Sequence, residues 1–377
     1  MRKVLYVTGT RADFGLMLRT LHAIDRHDGL SLRVCVTGMH LSDRFGMTVR
    51  EVETSGLAIA ARLPVDIDHD SGLGMALVAG DTLNAFARLL QSERPDVVLL
   101  LGDRIEMLAC AIAAVCQGIA IAHAHGGERS GTIDESLRHA ISKLAHLHLV
   151  TTPGSRDRLL AMGERADATF VVGAPGLVGL HELATRSRAS LLAEHKLDAG
   201  RPTAVVLFHP VVQEAAETGT QMQALLTALA QDGIQAICLL PNADAGNSHI
   251  RAVIERHCAS HEGFKAVAHL HRGDYVSLLA CCDLLAGNSS SGILEAASFG
   301  TPVVNIGDRQ NLRERNANVF DCPPVLDAIR AAVRRARDFP RSNTTNLYVQ
   351  ADTDQRIAYI LHSFPLELAL LKKSNTY

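Results

Sequence analysis

The apolar positions of this chain fall into two successive sets of short runs, each bounded by Gly, Pro or polar residues and separated by helix-length amphipathic stretches. The first set reads as strands over 3–8, 32–36, 58–63, 96–101, 118–122, 147–151 and 168–172. Between them a 3.6-residue period predicts helices over 16–27, 50–56, 72–92, 105–117, 135–144 and 153–163. Runs such as 96–101, Asp-Val-Val-Leu-Leu-Leu, lack strict alternation, which is how parallel strands buried on both faces read. Gly173-Ala-Pro-Gly-Leu-Val-Gly179 is a breaker-rich hinge, followed by a helix over 181–195. A second set of strands follows at 204–208, 235–240, 265–268, 283–286 and 303–306, with helices over 293–299, 324–337 and 353–363. This β-α alternation predicts an α/β protein of two doubly wound, Rossmann-like domains. The expected division is 1–174, 175–350, and a C-terminal stretch 351–377 whose helix returns to the first domain and whose last residues, 372–377, fray.

Polar residues collect just beyond the strand ends, at the edge where open α/β sheets bind ligands. The runs at 96–101 and 118–122 release Asp103, His123, His125, Glu128 and Asp134 together, with Gly126-Gly127 allowing close backbone approach. Asp103 and Asp134 could each instead cap the helix that follows. Arg11 sits in a Gly-bounded turn, suited to clamping an anion, and His40 in the second loop is expected to face the crevice. In the second half His209, Asn242 and His269 follow strand ends. Gly287-Asn-Ser-Ser-Ser-Gly292 can turn backbone N–H groups and the hydroxyls of Ser289, Ser290 and Ser291 toward a phosphate, Gly292 easing the approach. Glu295, one turn further, would be costly beside a phosphate unless it serves ligand hydroxyls such as those of ribose.

Composition narrows the class. In 377 residues, 47% are hydrophobic and 20% charged, and the net charge is −3 without a basic stripe, so neither nucleic acid nor an anionic membrane has electrostatic support. Eight cysteines without a C-x-x-C pair suggest a reducing, cytoplasmic setting and no zinc site. The start, Met1-Arg-Lys-Val-Leu-Tyr-Val, reads as a strand, and no export or membrane anchor is expected. A metal site built from His123, His125, Asp134 and His139 is conceivable, but no metal or other cofactor is expected.

Taken together the motifs resemble those of the hydrolysing UDP-N-acetylglucosamine 2-epimerases, enzymes of sialic acid biosynthesis with the two-domain glycosyltransferase-B architecture, the domains facing across a cleft. The markers are Val7-Thr-Gly-Thr-Arg-Ala-Asp13, Gly38-Met-His-Leu41, Gly102-Asp-Arg104, and His123-Ala-His-Gly-Gly-Glu-Arg-Ser-Gly-Thr-Ile-Asp-Glu135 with Arg138-His139. In the second half they are His209-Pro210, Pro241-Asn-Ala-Asp-Ala-Gly246, the Ser-rich turn, and Arg309-Gln310 before Asn318-Val319. The resemblance implies a UDP-hexosamine substrate and UDP product, with Ser289 and Ser290 at the diphosphate, Glu295 at the ribose, and Arg11, Arg104, Asn242, His269 and Arg309 completing the pocket. It implies removal of the sugar C2 proton with loss of UDP from C1, hydration of the resulting glycal, and release of a free 2-epimer such as N-acetylmannosamine. Asp103, Asp134 and His209 match catalytic positions, Arg138 belongs to the same motif, and a homodimer or homotetramer is implied. One departure stands out: relatives often carry Glu where this chain has His125, so that acid/base duty passes to His125 or to Glu128. The departure also suggests the diacetamido-bacillosamine nucleotide of legionaminic acid synthesis as an alternative substrate. A UDP-sugar glycosyltransferase and a non-catalytic nucleotide-sugar sensor are the competing readings.

Overall fold

The computed structural model describes residues 1–67, 70–341 and 345–376. Among them the chain forms two parallel sheets. The first orders its seven strands β3-β2-β1-β4-β5-β6-β7, from β1 (Arg2–Thr8), β2 (Leu30–Thr37), β3 (Ile59–Leu63), β4 (Val97–Leu101), β5 (Ala120–Ala124), β6 (Leu147–Val150) and β7 (Thr169–Val171). The second orders six as β10-β9-β8-β11-β12-β13, from β8 (Thr203–Leu207), β9 (Gln235–Leu239), β10 (Phe264–Val267), β11 (Leu284–Gly287), β12 (Val303–Ile306) and β13 (Val319–Cys322). This is the glycosyltransferase-B type of fold that the sequence implied.

The unalternating strand pattern has a direct cause. Along β1, Val4 and Tyr6 join one apolar layer with Phe14, Met17 and Leu21, while Leu5 and Val7 join another with Met107 and Cys110. Strands covered on both faces have no solvent side to mark with polar residues. Helix Gly72–Glu93 is long and apolar enough to cross a membrane by length and composition alone, but its Val78, Thr82, Phe86, Leu89 and Leu90 stripe is buried within this layering. Helix Thr353–Ser363 inserts Ile357, Ala358, Ile360 and Leu361 into the first-sheet layer that holds Met17 and Leu21.

Several elements differ from their sequence-based expectation. The first helix runs Arg11–Asp25, starting five residues early, because Thr10 and Asp13 form a reciprocal capping box. Arg11 therefore stands on the first helical turn, not in a loop. The stretch expected as one helix over 181–195 is two, Leu180–Leu183 and Arg188–Glu194, the second restarted by the Ser187 cap. Strand β13, too short and polar to register as an apolar run, pairs with β12 at the sheet edge. The terminal residues expected to fray are tied down: Lys373 Nζ donates to the carbonyls of Ser142, Lys143 and Ala145 at 3.1, 2.8 and 2.6 Å, closing the end of helix Ile133–Leu144. Tyr377 lies outside the described residues.

Strand order reverses between β1 and β4 in one sheet and between β8 and β11 in the other, which opens a crevice at each set of carboxyl ends. The two crevices meet in one cleft. Asp70, from the first domain, accepts backbone N–H groups of Gly246, Asn247 and Ser248 at 2.5, 3.2 and 3.0 Å, bridging it. At the end of β11, Gly287 has φ +147°, and a Cβ there would lie 2.1 Å from the Leu207 carbonyl oxygen. Only glycine lets the Ser-rich turn leave so close to β8.

Candidate active site

The cleft encloses a cavity of about 300 Å³. Its first-domain wall begins where β4 ends. Helix Ile105–Cys116 has Arg104 at its N-cap position with no side-chain cap bond, and helix Ile133–Leu144 is capped by the Thr132 hydroxyl, which accepts from the Asp134 N–H. Neither Asp103 nor Asp134 is therefore spent on capping, and both line the cavity with Arg11, Arg104, His125 and Arg138. Asp103 is ion-paired with Arg138, an arginine only 1% exposed, which also donates to the Glu128 carbonyl and the Ser130 hydroxyl. Asp134 accepts from Arg309 of the second domain at 2.9 Å.

The two carboxyls are driven apart electrostatically. Burial works to raise Asp103, but Arg138, Arg313 and Arg309 outweigh it and hold the group below the usual carboxylate range. Asp134 is pushed above that range, first by burial and then by the negative Asp103 and Asp244, against the pull of Arg309. One carboxylate is thus locked in its charged form while its neighbour is primed to exchange a proton.

The second-domain wall is built on β8, β11 and the loop after β9. Asn288 fixes His209 by accepting its backbone N–H at 2.7 Å and donating to its carbonyl at 2.8 Å. The Asn242 N–H donates to His209 Nδ1 at 3.3 Å, so Nε2 carries the ring proton. Burial, reinforced by Arg309, Arg104 and Arg11, lowers His209 well below the ordinary imidazole value, and it presents an uncharged donor. Ser289, Ser290, Ser291, Asn242, Glu295 and Arg309 share this wall. Ser289 caps the short helix Ser290–Leu294, and the Ser291 hydroxyl contacts the Tyr275 hydroxyl. Glu295 is ion-paired with Arg272, whose position leaves the carboxylate at the cavity wall. Across the cleft Arg104 approaches Asp244 at 3.6 Å.

Four residues expected at the site stand elsewhere. His40 is fully buried, with Nε2 at 2.9 Å from the Thr8 hydroxyl and Nδ1 at 2.8 Å from that of Thr48, so it is a packing residue away from the cavity wall. Its ring packs edge-on against Phe14, while Met39, Arg44 and Phe45 of the same loop line the cavity. His40→Ala should lower stability by about 1–3 kcal/mol, the cost of stranding buried hydroxyls, while UDP affinity measured by calorimetry stays at the parent value. Gly292 packs against the sheet, where a Cβ would meet Val303 at 2.8 Å, and does not line the cavity. Glu128 lies behind His125, and His269 is turned between Arg11 and Glu51, 2.6 Å from the latter.

His123 has no nitrogen free for a metal. His123 Nε2 faces the Gly102 carbonyl at 2.7 Å and Nδ1 the Ser142 hydroxyl at 3.1 Å, so both ring nitrogens are occupied. Among the described residues, the ligand atoms of Glu51, His269 and His271 lie within 4.8 Å of one another, but the Arg11 guanidinium beside His269 puts a permanent positive charge there.

The sequence profile described as UDP-N-acetylglucosamine 2-epimerase matches residues 22–362. The chain belongs to this family. A Legionella pneumophila relative named UDP-N,N'-diacetylbacillosamine 2-epimerase (hydrolyzing) is 44% identical over 377 residues, covering all of both chains. The Neisseria meningitidis UDP-N-acetylglucosamine 2-epimerase is 32% identical over 370 residues, 96% of each chain. Among solved structures, the Neisseria meningitidis UDP-GlcNAc 2-epimerase bound to UDP-GlcNAc superposes with a TM-score of 0.81 over 95% of this chain and 99% of that one, at 18% identity. The S. aureus MnaA–UDP structure gives the same TM-score over 100% and 99%, also at 18% identity. At that identity the likeness speaks for the fold.

In this 2-epimerase family member, the residues of the site not expected from sequence include Arg313, Arg272 and Tyr275. Arg313 pairs with Glu128, Arg272 with Glu295, and Tyr275 with Ser291. Arg313 follows Arg309 by four residues within Arg309-Gln-Asn-Leu-Arg-Glu-Arg315, a spacing that could have flagged a second inward arginine. Arg272 and Tyr275 open helix Arg272–Cys281 directly after the His269-Leu-His271 strand end, the same edge position that drew notice to the other loops.

Proposed function

We propose that this protein is a hydrolysing 2-epimerase that takes UDP-2,4-diacetamido-2,4,6-trideoxyglucose to UDP and the free 2-epimer. The observation that carries the reading is a cavity in which an Asp pair of opposed proton affinity faces a cationic, hydroxyl-rich wall. The 44% identity across the full length of the Legionella relative favours the diacetamido sugar over UDP-N-acetylglucosamine, the substrate first expected from the motifs. The chemistry runs in two stages. A base takes the C2 proton while the C1–O bond breaks and UDP leaves with that electron pair, giving a C1=C2 glycal. Water then adds, its oxygen to C1 and a proton to the opposite face of C2.

Each residue has a part in this scheme. Asp134, with its raised proton affinity, exchanges the proton at C2, and Asp103, held charged by Arg138, stabilises positive charge developing at the ring. Arg11, Arg104 and Arg309 offset the charge of the departing diphosphate, aided by Ser289 and Ser290, and His209 Nε2–H donates to a substrate oxygen. Glu295 accepts from ribose hydroxyls. Glu295→Ala should therefore weaken UDP binding by about 1.5–3 kcal/mol in calorimetry, and unchanged affinity would remove it from the nucleotide site.

The test is incubation of the protein with the UDP-diacetamido sugar, and separately with UDP-N-acetylglucosamine, in deuterated water without an acceptor. Release of UDP and a free sugar carrying deuterium at C2 by NMR is expected, faster with the diacetamido substrate. Two intact donors would exclude hydrolytic epimerisation, and product with only hydrogen at C2 would exclude elimination.

A further inference from the structure

We propose that His125 is the residue that selects the sugar, its Nε2 offering a fixed, uncharged hydrogen-bond acceptor to a substrate amide N–H at the position where UDP-N-acetylglucosamine has its C4 hydroxyl. The inference rests on the reading of the diacetamido sugar as substrate. Three features of the structure converge on it.

The first is backbone. His125 has φ +64°, a left-handed conformation uncommon outside glycine, and it is followed by Gly126 and by Gly127 at φ +74°. A Cβ at Gly127 would lie 2.3 Å from the Ser155 carbonyl oxygen, so the chain is packed tightly against helix Pro153–Ala161. The His125 N–H is held by the Leu149 carbonyl at 3.1 Å. An unusual conformation held on several sides fixes where the side chain points, which is characteristic of functional positions.

The second is the ring. His125 Nδ1 is 2.9 Å from Glu128 Oε1, which also accepts from the Thr151 hydroxyl at 2.9 Å, while Glu128 Oε2 is paired with Arg313. A carboxylate held by an arginine and a hydroxyl accepts and does not donate, so the imidazole proton belongs on Nδ1 and the lone pair on Nε2. The third is the orphaned atom. Nε2 is buried without a hydrogen-bond partner among the described residues, on a side chain that lines the cavity. A buried acceptor left unmatched is costly, and a ligand that supplies the missing N–H is rewarded by removing that cost.

Burial and charge explain the preference. Burial first, and then the nearby Arg313 and Arg138, disfavour an imidazolium, so His125 stays a neutral acceptor. A carboxylate at the same position would instead demand strong donors such as hydroxyls or cations, and would have to be desolvated against an acetamido methyl group. Glu128 is by this account a positioning residue: it fixes the tautomer and never meets the sugar.

The experiment compares kcat/KM for UDP-2,4-diacetamido-2,4,6-trideoxyglucose with that for UDP-N-acetylglucosamine in the parent protein, His125→Glu and His125→Asn, with melting temperature and C2 deuterium incorporation followed for each. Asn tolerates the left-handed backbone, so it keeps the test available if the Glu variant does not fold. The ratio of the two kcat/KM values should move toward UDP-N-acetylglucosamine by about 10- to 100-fold, the range set by losing one buried hydrogen bond. A ratio within about twofold of the parent value in a folded variant overturns the proposal. So does an equal loss of C2 exchange with both substrates, since that would make His125 the base. If the parent turns over neither substrate, the functional reading fails first, and the two failures are told apart.

Discussion

Asp134→Asn is expected to lower turnover by about 10²–10⁴-fold, the usual worth of a positioned acid or base, while UDP binding holds or tightens. The carboxylate stands 2.9 Å from Arg309, and its removal frees that guanidinium for the diphosphate. Stability provides an independent check. Asp134 has its pKa raised in the folded protein, first by burial and then by Asp103 and Asp244, so its ionisation weakens the fold as pH rises through that value. Asn carries no such charge, and the variant should be at least as stable as the parent near neutral pH. The same shift sets the pH profile: parent kcat/KM should fall as pH drops through a value above the ordinary carboxylate range, and the variant should lack that limb. Parent-like turnover in the folded variant would reduce Asp134 to a partner of Arg309.

Arg138→Met is expected to cost about 3–5 kcal/mol of stability, the range for breaking a buried ion pair from one side. The guanidinium is 1% exposed and serves Asp103, the Glu128 carbonyl and the Ser130 hydroxyl together. Met fills the volume and returns none of these bonds. Asp103 is held below the usual carboxylate range in the folded state, so its contribution is present above the unfolded pKa of about 4 and is lost as pH falls through the folded value. The gap between parent and variant should therefore be widest near neutral pH and narrow in acid. Adding Asp103→Asn should restore much of the stability and none of the turnover, because the second change removes the stranded charge and the fixed carboxylate at once. Denaturant unfolding at neutral and acid pH reads both effects, and a gap independent of pH would mean that Arg138 acts through packing alone.

The layering, the parallel order of elements and the loops that reach the cleft were legible in the chain, because these are local consequences of composition. Apolar runs such as 96–101 and 118–122 bury both faces wherever they fold, and polar residues at their carboxyl ends have nowhere to go but the edge of a sheet. The early start of the first helix was also legible, in the Thr10–Asp13 capping box, though Gly15 masked it as a breaker. Which of these polar groups meet depends on the packing of distant elements. Asp134 and Arg309 are 175 residues apart, and Arg313 and Glu128 are 185 apart. Such pairs leave no periodicity in the chain. Whether a histidine at a strand end opens to a cavity, as His125 does, or turns inward between two threonines, as His40 does, depends on neighbours brought by other elements. The opposed proton affinities of Asp103 and Asp134 arise the same way: identical side chains on adjacent loops are separated by burial and by the arginines that the fold sets beside each.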